Sequence, residues 1–223
     1  MNKKMIKCPY FKINLWKRDI MSKIIKLLLP VFALFLFNAC SSHNKALEVL
    51  PNELQDANQC INKVKSFEMD CYDLISYKNS IAQLRLGLNA QYQGNFEEAL
   101  ARFELAKKLG NFYANALISD MYLNGFGVEL DEKKAISLLK DTRKVDPIAA
   151  YKLSSFYLND GDISGAISLL EFAGVNGVRD AQNQLSIIYS NSQYIEPDDE
   201  KTLYWKSLYE ENNEDLIKKI YGR

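Results

Sequence analysis

Three groups of residues in this chain have types and spacings that could do chemistry. Asp160, Asp162, Ser164, Gly165 and Glu171 stand as D-x-D-x-S-G-x-x-x-x-x-E, the ligand spacing of a calcium-binding loop, with Ile167 at its usual apolar position. Ile163, Ala166, Ile167, Leu170 and Ala173 recur there at helical spacing, so a helix competes for the same residues, and no metal is assigned. Cys60 and Cys71 form the second group: in an oxidising compartment they could bridge, and otherwise they are two buried thiols. The third is a scatter of carboxylates, Asp131, Glu132, Asp198 and Asp199, at places where helices are expected to start and where capping accounts for them. His43 is the single histidine, and the chain carries no cysteine–histidine pair, nucleophile elbow, zinc spacing or phosphate loop. The expectation is a protein that is not an enzyme and needs no cofactor.

The elements that position these residues repeat. Ala114, Ile118 and Tyr122 lie four residues apart and form one helical stripe; Asn124, Gly125 and Gly127 then end the helix, and Asp131 caps the next, where Ala135, Leu138 and Leu139 follow. Anchors return at Ala90, Tyr122, Tyr157 and Tyr189, at steps of 32, 35 and 32 residues. Four helix–turn–helix units follow, each with an apolar face it cannot cover alone. The step from anchor to the next helix alternates: nine residues from Ala90 to Ala99 and from Tyr157 to Ala166, thirteen from Tyr122 to Ala135 and from Tyr189 to Thr202. In the first unit Asn95 and Glu98 are spaced as a capping box. The fourth unit offers Ser192 and Tyr194 where glycines stand in the second. Leu216, Ile217, Ile220 and Tyr221 make one face of a last helix, with Glu214, Asp215, Lys218 and Lys219 opposite, suited to cap the exposed end of the stack.

The string from Ala114 to Ala135, with Ile118, Ser119, Tyr122, Asn124, Gly125, Gly127, Val128, Asp131 and Lys134, resembles the Sel1-like repeat, a variant of the tetratricopeptide repeat. The resemblance covers residues 80–223 and implies an all-α solenoid of antiparallel helix pairs, wound as a right-handed superhelix of about four repeats plus capping helices. Residues 52–79 are expected as leading helices or a degenerate repeat. In such folds the first helix of each pair lines a concave face. Its positions here are Leu88 and Tyr92; Tyr113, Asp120 and Asn124; Tyr151, Ser155 and Asn159; and Asn183, Ile187 and Asn191. Tyr92, Tyr113, Asp120, Tyr151, Ser155 and Asn183 are the expected partner-binding residues. Asn124, Asn159 and Asn191, each two residues past an anchor tyrosine, read as helix C-caps or as a hydrogen-bonding ladder for an extended peptide.

At the amino terminus an apolar stretch from Ile24 to Ala39, preceded by Lys23 and Lys26 and interrupted by Pro30, has the outline of a signal peptide. Counted from Met21 it has a compact basic start, so residues 1–20 are expected to be a spurious upstream extension and residues 21–39 the signal. Leu36, Phe37, Asn38, Ala39 and Cys40 resemble a bacterial lipobox, which implies acylation of Cys40 and a firm membrane anchor. Ordinary secretory cleavage after Ser41 is the rival. Ser41 in place of Asp implies the outer membrane in a bacterium with two, with the repeats facing the periplasm and residues 40–51 as a tether.

Beyond Cys40 the chain keeps 20 basic against 27 acidic side chains, a net charge of about −7, which disfavours nucleic acid. The expected function is an envelope lipoprotein that binds a partner protein or peptide along its concave face, with no small-molecule substrate. Cysteine-rich members of the family carry a cysteine pair within each repeat and some have been linked to β-lactams, but residues 80–223 contain no cysteine. A hydrolase of β-lactam or cell-wall substrates and a calcium-dependent adhesion module are the alternatives.

Overall fold

A computed structural model describes residues 50–191, 193–211 and 214–222, and within them the chain is helical with no strand. Two leading helices, α1 (Pro51–Gln59) and α2 (Lys65–Ile75), precede four antiparallel pairs. These are α3 (Ser80–Tyr92) with α4 (Phe96–Lys108), α5 (Ala114–Asn124) with α6 (Glu132–Thr142), α7 (Pro147–Asn159) with α8 (Ile163–Val175), and α9 (Arg179–Ser190) with α10 (Asp199–Glu211). A short α11 (Leu216–Tyr221) follows. Successive helices pack on one another from α3 to α10, and α5 also meets α7, so this is a solenoid of stacked pairs. The residues before Leu50, with Cys40 and the expected signal segment, lie outside those described. The expected tether ends in structure: Leu50 is buried and Pro51 opens α1.

One backbone device closes every pair. The carbonyls of Ala90, Tyr122, Tyr157 and Tyr189 accept from the N–H groups of Asn95, Asp131, Asp162 and Asp198 at 2.9, 3.0, 2.9 and 2.8 Å. A helix end leaves carbonyls without intrahelical partners, and here the residue that starts the next helix supplies the donor. Asp131, Asp162 and Asp198 then cap that helix, each accepting from the N–H three residues on. Asn95 departs from the expected capping box: its side-chain amide donates to Glu98 Oε2 at 2.9 Å and makes no bond to the helix start.

The long turns of the second and fourth pairs share a second device. Lys134 Nζ sits 4.3 Å from the Tyr122 ring centroid, and Lys201 Nζ lies 4.6 Å from that of Tyr189. Tyr-(x)8-Asp-x-x-Lys therefore produces the same closure in both units although only the second has glycines. Gly127 (φ +69°) has a separate reason: a Cβ there would lie 3.0 Å from the Phe96 backbone, so the turn docks against the preceding unit, where Phe96 and Phe126 stack at 4.5 Å. Of the two readings of Asp160 to Glu171, the helix takes the residues: α8 covers residues 163–175, Asp162 is its cap and Glu171 accepts from the Tyr189 hydroxyl at 2.9 Å.

Candidate functional site

α11 meets the side formed by the first helices of the pairs, the inner wall: it bonds to Arg85 in α3, to Tyr113 at the N-cap of α5 and to Gly177 just before α9. The sequence places the apolar face of α11 correctly, with Leu216, Ile220 and Tyr221 buried and Lys218 and Lys219 exposed. Its position differs from an end cap. Leu216 N–H donates to the carbonyl of Gly177, between α8 and α9, at 2.9 Å, and Arg179 N–H donates to Asp215 Oδ1 at 3.3 Å. At its other end, Arg85 of α3 donates through Nε to the Ile220 carbonyl (3.3 Å) and through Nη2 to that of Lys219 (3.1 Å). The stack thus curls until one short helix joins its fourth pair to its first.

Arg85 explains the grip. Its guanidinium, in a residue only 4% exposed, meets the last carbonyls of α11, where the helix dipole is negative, and also donates to Tyr72 Oη and Asn58 Oδ1. Gly222 follows in the left-handed conformation (φ +75°), and its N–H donates to the Lys218 carbonyl. A Cβ at Gly222 would stand 2.9 Å from Arg85 Nε. Only glycine satisfies both the backbone and the approach.

The expected binding residues divide accordingly. Tyr113 is fully buried at the N-cap of α5, where its carbonyl accepts from the Tyr221 hydroxyl at 3.1 Å, so it is part of the occupied wall rather than an open contact. Leu88 is buried as well. Burial pushes the Tyr113 hydroxyl far above its ordinary range, and it pushes Tyr221 well up, with Asp146, Asp120 and Tyr113 adding repulsion. Asp120 pairs with Lys152 at 2.9 Å across neighbouring units; burial raises its carboxyl and the ammonium pulls it back. Tyr151 is half-buried, its hydroxyl raised by burial and then by Asp180 and Asp215. Tyr113 thus touches α11 directly, whereas Asp120 is held by Lys152. Tyr92 stands apart, 85% exposed, beside a cleft of about 220 Å³ lined by Lys65, Glu68, Arg85, Asn89, Tyr221 and Gly222. A wider depression against Leu54, Gln55, Asn58 and Gln59 is open and involves α1 alone.

Ser155 and Asn183 are exposed on α7 and α9. The asparagine ladder is not assembled: Asn124 donates to the Asp120 carbonyl of its own helix, and Asn191 accepts from Gln193 N–H. Cys60 and Cys71 are joined, with Cα atoms 5.5 Å apart. Among the described residues no group of three or more His, Cys, Asp or Glu could hold a metal ion, and no helix is long and apolar enough to cross a membrane. Sequence reasoning missed Arg85, Lys152 and Arg179. The available signal was Arg85 itself, a cation between Leu84 and Leu86 in a helix buried nearly all round.

The Sel1 repeat family model matches residues 112–140 and 179–205, the two pairs with long turns. No curated protein matches the chain. A Sel1 repeat protein from Oxalobacter formigenes is 22% identical, with a TM-score of 0.59, over 81% of this chain and 83% of that one. The protective antigen c5321 of uropathogenic Escherichia coli strains, which displays an SLR fold, is 16% identical with a TM-score of 0.51; 73% of this chain matches 38% of it. Both likenesses concern the fold.

Proposed function

We propose that this Sel1-like repeat protein is a protein–protein interaction scaffold held in the bacterial envelope, and that its inner wall grips a segment of a partner protein. One observation carries the reading: the wall already holds a peptide segment, α11, through backbone hydrogen bonds at both ends and an apolar face between them. Helix-in-groove recognition lays the apolar face of an amphipathic helix into such a surface. Aromatic residues such as Tyr113 and arginine donors such as Arg85 meet that segment together, a combination enriched at protein interfaces.

The envelope placement is an inference from the amino terminus, with its apolar core ending at Cys40. The Cys60–Cys71 bridge supports it, because such bonds persist in oxidising compartments. Lipid on Cys40 would anchor the chain to a membrane, Ser41 in place of Asp would direct it to the outer one, and the partner would be an envelope protein. Photo-crosslinking in the native cell tests the reading, with a photoreactive residue at Tyr92 or Asn183 on the inner side and at Lys140 on the outer side of α6. Capture of one envelope protein from the inner positions, absent from Lys140, is expected; capture from Lys140 alone refutes it. Labelled palmitate that enters the wild type but not Cys40→Ser tests the anchor.

A further inference from the structure

We propose that α11 is a tethered occupant of the partner's own site, and that the partner presents an amphipathic helix of the same form: two adjacent apolar residues, two polar ones, an apolar and an aromatic residue, then glycine. This rests on the reading of the inner wall as the binding surface. Its contacts define what can enter.

The wall offers Arg85, whose donors meet the carbonyls of Lys219 and Ile220, so the ligand must present the C-terminal end of a helix there. The residue after that end must be glycine, because Gly222 adopts φ +75° and leaves no room for a Cβ beside Arg85 Nε. Leu216, Ile220 and Tyr221 fill the apolar floor, and the Tyr221 hydroxyl donates to the Tyr113 carbonyl. Lys218 and Lys219 face solvent and specify nothing. The opposite end is fixed twice: Leu216 N–H donates to the Gly177 carbonyl, and Asp215 accepts from Arg179 N–H.

Two features suit an occupant. First, α11, at six residues, is the shortest of the described helices and depends on the wall for its helical conformation. Second, the groove continues beyond it: the cleft of about 220 Å³ beside Tyr221 and Gly222 is floored by Asn89 and edged by the exposed Tyr92. A partner can engage that cleft first and then replace α11 one contact at a time.

The test uses a fluorescein-labelled peptide of residues 214–222, titrated into the full chain and followed by anisotropy. The double variant Ile220→Glu, Tyr221→Ala vacates the wall and is expected to bind the peptide at least tenfold more tightly than the wild type. A Gly222→Val peptide is expected to lose that binding. A release variant that keeps its helical circular dichroism but takes no peptide overturns the proposal, as does binding indifferent to Gly222→Val. Dimers that take no peptide also overturn it, since the occupant is then a second copy. If the variant does not fold, hydrogen exchange of the wild type decides. Amides of α11 exchanging at least tenfold faster than those of α3 and α5 support displacement, and exchange of all three together overturns it. Inner-side photo-crosslinking that persists when the peptide fails leaves the scaffold reading intact without the tethered occupant.

Discussion

Replacing Gly127 by Ala separates two costs that the structure keeps distinct. Gly127 has φ +69°, and an added Cβ would meet the Phe96 carbonyl carbon at 3.0 Å and its oxygen at 3.1 Å. Gly94 has φ +80° with nothing within 4 Å of the same added atom. Left-handed backbone costs an L-residue with a Cβ about 1–2 kcal/mol, so Gly94→Ala is expected to lose about 1–2 kcal/mol and no more. Gly127→Ala must also push the long turn off α4, which loosens the Phe96–Phe126 stack. Overpacking of that kind adds about 1–3 kcal/mol, for a total of about 2–5 kcal/mol. Urea unfolding followed by circular dichroism gives both values on one scale. Losses equal within about 0.5 kcal/mol would refute the docking of the long turn on the preceding unit.

Other outcomes follow from single contacts. Asp146 is fully buried at the cap of α7, and burial raises its carboxyl from 3.8 to about 7 against the pull of the Ile148 and Ala149 N–H groups. The folded chain then holds a proton that the unfolded chain releases. Stability from this group therefore falls as pH rises from about 4 to about 7 and is flat above, by up to about 4 kcal/mol. Asp146→Asn is expected to remove that slope from a series of melting temperatures; an unchanged slope assigns it elsewhere. Reducing Cys60–Cys71, separated by 11 positions, is expected to cost about 3 kcal/mol by chain entropy, read as a lower urea midpoint of the reduced protein. No change on reduction would show that the leading helices are held by α3 alone.

The repeating units were legible in the sequence because they are local. Anchors 32–35 residues apart, Asp131 and Asp198 before their helices, and the lysines that follow act within one hairpin, where spacing determines contact. The apolar face of α11 was legible for the same reason. Its address was not, since the partners of Ile220 and Tyr221 lie 135 and 108 positions away at Arg85 and Tyr113, and periodicity carries no information at that range. Tyr113 was misplaced on the open face because its position was counted from a helical anchor. It stands at the N-cap of α5, outside the helix, with its N–H bonded to Asn111 Oδ1. Counting along one helix could not show which distant segment packs against it.

The occupied wall can be measured in solution by the distance between spin labels at Gln59 and Lys219, both exposed. Arg85 Nη2 reaches Asn58, the neighbour of Gln59, at 2.7 Å and the Lys219 carbonyl at 3.1 Å, so one guanidinium ties the two labelled segments together. A narrow distribution below about 25 Å, two helix diameters plus the labels, is expected. A peak beyond about 40 Å, the span of four pairs stacked at about 10 Å without return, would contradict the closed inner wall.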